Sequence, residues 1–155
     1  MKIGLISDTH NLLRPEVIEA LKDVDAILHG GDISSQRILE QLQAIAPVYA
    51  VRGNADKEWA ENLPPFLDFE LSGLHIYMTH KKKDLPADLE PYDLVMVGHS
   101  HAYSDTRIGR TRIINPGSCG PRRVHQPITM AVAEIAGDAI SVARIDIPHA
   151  VPCGD

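Results

Sequence analysis

The sequence predicts an α/β fold, two stacked mixed β-sheets flanked by helices. Two features predict it. Short apolar runs alternate with helix-like segments through the first third of the chain, and turn-punctuated hairpins fill much of the second half. A third feature marks one end of the sandwich as functional: carboxylates, an amide and imidazoles fall where the apolar runs stop.

Each element has its own signal. Residues 2–7 (KIGLIS) form an apolar run short enough for a buried strand, and 15–21 are an amphipathic helix with Pro15 in its first turn. Residues 25–29 (DAILH) make a second strand. Residues 35–44 make a second helix, with Ser34 or Ser35 as N-cap, and 48–51 (VYAV) a third strand. Strand–helix–strand–helix–strand implies parallel strands joined by right-handed crossovers. Beyond this point the pattern changes. Residues 66–71 and 74–79 flank Ser72-Gly73 as a hairpin, and 93–97 (DLVMV) are another buried strand. A Gly-Arg turn divides 106–114 into two short strands, and Gly137-Asp138 joins 130–135 to 139–147 in a last hairpin. With no repeat, low-complexity segment or linker, residues 1–155 are expected to form a single domain.

Composition narrows the function classes. A charge of −6, from 15 basic and 21 acidic residues, argues against nucleic acid as the main partner. The one basic run, Lys81-Lys82-Lys83, is short and reads as a solvated loop. Two cysteines, Cys119 and Cys153, make no disulfide framework. No apolar stretch approaches the roughly 18–20 residues that cross a membrane, and the start lacks a signal-peptide pattern. A cytoplasmic location without membrane partners is the expectation.

The chemistry sits at the strand tips. The first strand ends in Asp8-Thr9-His10, the second in Gly30-Gly31-Asp32 and the third in Gly53-Asn54. A later strand ends at His80, and DLVMV ends in Gly98-His99-Ser100-His101. Ligands of open α/β sheets bind beyond the carboxyl ends of the strands, so these tips should converge. Two carboxylates, one amide oxygen and four imidazoles then meet, a donor set without thiolate that suits two divalent cations: manganese first, with nickel, iron or zinc as alternatives. Asp-x-His and His-x-His spacings put both members of each pair on one side of an extended segment. Glycines before Asp32, Asn54 and His99 permit tight turns. Asp32, midway in the series, is the natural bridge between two ions.

The series DTH, GGD, GN, TH and GHSH resembles the calcineurin-like metallophosphoesterase superfamily, and the small single-domain phosphodiesterase branch from about residue 1 to 147. The resemblance implies a four-layer α/β/β/α sandwich. It implies Asp8, His10, Asp32 and His101 on one metal, and Asp32, Asn54, His80 and His99 on the other. Two divalent cations, two carboxylates and a bridging hydroxide leave a formal charge of about +1, suited to an anionic phosphate ester. The implied reaction is phosphodiester hydrolysis by attack of that hydroxide, with Asp32, Asn54 and His99 as catalytic candidates. No dedicated arginine pair stands ready to clamp a monoester, which favours small diesters. The turn Asn115-Pro116-Gly117-Ser118 matches a segment that lies near the site in this branch. Resemblance also implies a homo-oligomer, a dimer or tetramer.

Two departures stand out. Many members carry a leaving-group-protonating His directly after Gly-Asn, whereas this chain has Ala55 followed by Asp56. Where the family often reads His-Gly-His, this chain has His80-Lys81-Lys82, which adds positive charge and gives Lys82 a route to phosphate. The rival readings are a non-catalytic metal-binding scaffold resembling the retromer subunit of this fold, and a nuclease of the same superfamily. Of the other candidates, His29 reads as a hydrogen-bonded core residue, and His75, His125 and His149 as structural. Trp59 reads as packing, Arg122 and Arg123 as a solvated pair within reach of phosphate, and Cys119 as no nucleophile because no base is assigned beside it.

Overall fold

In the computed structural model, which describes residues 1–123, 126–137 and 139–148, the order of elements follows the apolar pattern. The first half runs β1 (Lys2–Ile6), α1 (Pro15–Leu21), β2 (Ala26–His29), α2 (Gln36–Gln43) and β3 (Val48–Ala50). Then come β4 (Phe66–Leu71), β5 (Leu74–Thr79), β6 (Leu94–Met96), β7 (Ser104–Ile108), β8 (Thr111–Asn115), β9 (Thr129–Ala136) and β10 (Ala139–Asp146). His125, His149, Cys153 and Asp138 lie outside the described residues.

Ten strands form two mixed five-stranded sheets, ordered β10-β9-β1-β2-β3 and β4-β5-β6-β8-β7. In the first, β1, β2 and β3 pair in parallel, and β9 joins β1 antiparallel. In the second, β5, β6 and β8 are parallel, and the hairpins β4–β5 and β7–β8 close its two edges.

Alternation along the strands divides the core into layers. Ile3 and Leu5 of β1, Leu28 of β2 and Ala131 of β9 point between the sheets, where Leu74, Ile76, Met78, Leu94, Met96 and Ile114 meet them. The alternate residues Ile6, Ile27, Ala50 and Met130 face outward under Val17 and Leu21 of α1 and Ile38, Leu39 and Leu42 of α2. Both crossovers advance in the same direction across the sheet, so their common hand puts both helices on that face. Helix α1 rests close on β1: a Cβ at Gly4 would collide with the Leu21 side chain.

The two-sheet sandwich is the expected one, and the outer face of its second sheet is covered thinly. Among the described residues no α-helix covers it. Tyr77, Val95, Val97 and Ile113 lie instead beneath Tyr92, Leu85 and Leu89, carried by irregular chain that follows a 3-10 turn at Lys82–Asp84. Pro86 and Pro91 explain this, because each removes a backbone donor and blocks a continuous helix. Ser35 takes the N-cap position of α2, but its hydroxyl makes no capping bond; it donates to Asn11 Oδ1 at 2.7 Å. No helix among the described residues is long and apolar enough to cross a membrane.

Candidate metal centre

The parallel strands β1, β2, β3, β5 and β6 end at one side of the sandwich, and Asp8, His10, Asp32, Asn54, His80, His99 and His101 all follow directly from those ends. The chain turns sharply there. Asp8 (φ 56°), His10 (45°), Asp32 (59°), His99 (73°) and His101 (64°) all adopt left-handed backbone, which L-residues hold only when their surroundings impose it. At Gly53 a Cβ would strike the Asp32 carboxylate and backbone, so glycine alone lets β3 exit against that turn.

The seven side chains form two adjoining sets. Ligating atoms of Asp8, His10 and His101 lie within 4.8 Å of one another, as do those of Asp32, His80 and His99. Asn54 belongs beside the second set, with its Oδ1 3.1 Å from His99 Nδ1. The sets touch at Asp32, whose Oδ2 is 3.1 Å from His80 Nε2 and 3.6 Å from His10 Nε2. His101 Nε2 approaches Asp8 Oδ1 at 3.3 Å. A cleft of about 500 Å³ opens over His10, Asp32, Asn54, His99 and His101, with Arg123 and Gln126 on its rim.

The surrounding bonds aim these groups. Asp8 Oδ2 accepts from the Ser7 hydroxyl at 2.6 Å and the His99 amide at 3.1 Å, which leaves Oδ1 toward the cluster. Gly30 O, only an acceptor, is 2.7 Å from His80 Nδ1, so the ring proton sits on Nδ1 and Nε2 presents its lone pair inward. Asp32 Oδ1 accepts from the Ala55 amide at 2.8 Å. Buried Asp56 accepts from the amides of Asp32 (3.0 Å), Gly53 (2.9 Å) and Ser34 (2.8 Å), locking the β2 and β3 tips together. Asn115 Nδ2 donates to Gly98 O at 3.1 Å and Ser100 Oγ at 3.0 Å, while the Ser118 hydroxyl donates to Asp8 O at 3.0 Å. The 115–118 turn thus buttresses two of the tips.

Asp56, Ser7 and Asn115 were not singled out individually by sequence. Asp56 carried one signal: an acidic residue two positions past Gly-Asn, at a strand tip where exposed backbone amides need an acceptor.

Electrostatics follow from burial and contacts. Burial alone would raise the Asp8 carboxyl, but the imidazoles of His10 and His101 and the Ser7 hydroxyl outweigh it and hold the group well below the usual carboxylate range. Asp32 is likewise lowered, with burial opposed by His80 and the Ala55 amide. Burial disfavours protonated His80, yet Asp32 and Gly30 O raise it above the ordinary value. His99 is lowered by burial and by His80 and Lys81 nearby.

The donor set fits divalent cations. Asp8 Oδ1, His10 Nε2, His80 Nε2 and His101 Nδ1 are buried without a hydrogen-bond partner in the structure. Buried polar atoms are ordinarily paired, and four such atoms in one small space form a donor set that divalent ions would satisfy. The thiol of Cys119 takes no part: it is fully buried, points to Ser7 O and is pushed up to about 12 by desolvation.

The other candidates separate from this cluster. His29 is fully buried, with Nδ1 accepting from the Gly31 amide and Nε2 3.1 Å from Thr9 Oγ1. His75 lies at the far end of β5 against Asp68. Trp59 packs at the edge of the helical-face core. Lys82 lines a side cleft with His99 and Ser100, whereas Lys81 and Lys83 line a different one beside Asn54 and His80.

A two-sheet sandwich with carboxylates and imidazoles gathered at its strand tips defines the metal-dependent phosphoesterase class. The calcineurin-like phosphoesterase superfamily domain matches residues 1–138, and the chain belongs to that superfamily. It is 32% identical to a probable metallophosphoesterase of Methanothermobacter thermautotrophicus over 159 aligned positions, covering 94% of this chain and 92% of the relative. A structurally characterised archaeal phosphodiesterase superposes with a TM-score of 0.77 at 25% identity, covering 94% of this chain and all of the other. Vps29 of Chaetomium thermophilum shares the fold, with a TM-score of 0.76 at 17% identity over 95% of this chain and 97% of its own.

Proposed function

We propose that the protein is a dinuclear metal-dependent phosphodiesterase. The observation that carries this is the meeting of two ligand sets at one carboxylate, Asp32, within reach of both His10 and His80. Asp8, His10, Asp32 and His101 would hold one ion, and Asp32, Asn54, His80 and His99 the other. Manganese is the expected metal, with nickel, iron or zinc able to replace it, since no thiolate joins the donors. When bound, two such ions supply a water of lowered pKa as nucleophile and positive charge for the phosphoryl oxygens.

The protein's own groups set the geometry. His80, fixed through Gly30, and Asp8, fixed through Ser7 and the His99 amide, keep their ligating atoms aimed inward. Asn54 lines the cleft, where its amide would meet incoming phosphate. Arg123 on the rim adds one positive group, and among the described residues no second arginine lines that cleft to clamp a dianionic monoester. That favours diesters. Hydrolysis breaks one P–O ester bond; the water oxygen ends on phosphorus and a proton ends on the departing oxygen.

The alternative reading, a metal-binding scaffold of the same fold, draws on the likeness to Vps29. Turnover separates the two. Metal-stripped protein would be assayed on bis-p-nitrophenyl phosphate and p-nitrophenyl phosphate after adding Mn, Ni, Zn or Mg. The diester should be cleaved faster, and Asp32→Ala should abolish cleavage. Folded, metal-loaded protein inactive on both esters would favour the scaffold.

A further inference from the structure

Beside the metal centre lies a second cleft of about 350 Å³, and it shares Asn54 and His80 with that centre. We infer that this cleft binds one ester arm of the substrate, and that the arm is a nucleoside carrying a further phosphate. The inference rests on the phosphodiesterase reading and specifies its substrate class.

The floor is aromatic. Phe66 is half exposed although it is among the largest apolar side chains, and one ring face rests on Tyr77, with centroids 5.6 Å apart and planes 13° from parallel. Tyr77 is itself buried, so Phe66 is backed by a fixed ring and offers its remaining surface to the cleft. An exposed aromatic propped in this way is a stacking platform for a flat ring.

The walls are basic. Arg52, Lys81 and Lys83 line the same cleft, and among the described residues none forms an ion pair with a carboxylate. Arg52 spends Nε and one terminal nitrogen on the carbonyls of Asp56 and Lys57, which anchors the guanidinium beside the cleft. One acidic residue, Asp84, also lines it, so the local balance stays positive on a chain whose net charge is −6. An aromatic floor with unpaired cations matches a base with a phosphate outside the scissile group. The modest volume and acidic overall charge fit a short soluble nucleotide rather than a polymer.

Three substrates with one leaving group test this: methyl p-nitrophenyl phosphate, the p-nitrophenyl ester of thymidine 5′-phosphate, and that ester with a 3′-phosphate. With manganese-loaded protein, KM should fall about tenfold when the nucleoside is present, and further with the 3′-phosphate. Phe66→Ala should cancel the nucleoside gain, Lys83→Ala the phosphate gain, and neither should alter kcat/KM for the methyl ester. Calorimetric binding of thymidine 3′,5′-bisphosphate gives a readout independent of turnover, and Phe66→Ala should weaken it about tenfold. Binding that depends on Phe66 without turnover of any ester would uphold the cleft and overturn the hydrolase reading. Equal KM for all three esters, or bisphosphate binding indifferent to Phe66→Ala, would overturn the cleft assignment while leaving methyl-ester hydrolysis intact.

Discussion

His80 is held by Gly30: Nδ1 lies 2.7 Å from the Gly30 carbonyl oxygen, and Nε2 in turn lies 3.1 Å from Asp32. One bond from the tip of β2 fixes the tautomer of a histidine fifty residues away at the tip of β5. Replacing this imidazole should therefore remove one ion and spare the other. In a calorimetric manganese titration, His80→Ala is expected to keep a single binding event. Retention of both events in that variant would show that His80 is no ligand.

Asp56 carries the next expectation. Its carboxylate accepts from three backbone amides, of Asp32, Gly53 and Ser34. Asp56→Ala leaves those donors without their acceptor, at a cost of about 2–4 kcal/mol in urea unfolding. Metal affinity should fall roughly 10–100-fold, because the bonds that orient Asp32 and Asn54 are lost. Unchanged stability would mean that water replaces the carboxylate freely.

His29 makes folding sensitive to acid. Burial lowers its pKa from the ordinary 6.5 to about 4, against the raising influence of Asp8. Between those two values the unfolded chain takes up a proton that the folded protein refuses, so stability is complete above pH 6.5 and falls as the pH drops toward 4. The loss attributable to His29 is about 3 kcal/mol. Urea unfolding of metal-free protein at several pH values, compared with His29→Gln, measures it. Identical pH slopes in the two proteins would remove His29 as the cause.

Cys119 should be inert in the native state. The thiol is fully buried and pushed up to about 12, so almost no thiolate exists near neutrality. Iodoacetamide at pH 8, followed by peptide mass mapping, should leave Cys119 unmodified until urea is added. Rapid native labelling would contradict its burial.

Local patterns made most of this molecule readable. Helix α1 and the hairpin β4–β5 have the bounds their local pattern predicts, because Pro15 starts the one and Ser72-Gly73 turns the other. The converging tips were legible too, since parallel strands send their ends to one side whatever the details of packing. What sequence concealed depends on long-range approach. The resemblance put the 115–118 turn near the site, but not its partners: Ser118 meets Asp8, and Asn115 meets Gly98, across separations of 110 and 17 residues. Of the lysine run only Lys82 stands out in the sequence as within reach of phosphate, yet the 3-10 turn splits the run: Lys82 goes to one side, and Lys81 and Lys83 to the cleft beside Asn54.

The central claim is a two-ion centre built around Asp32, and the most direct test is to titrate manganese into stripped protein while following bis-p-nitrophenyl phosphate hydrolysis. Activity should rise until about two equivalents per chain and then level off, with no recovery at any ratio in Asp32→Ala. Full activity at one equivalent, or an Asp32→Ala protein as active as the parent, would contradict the account.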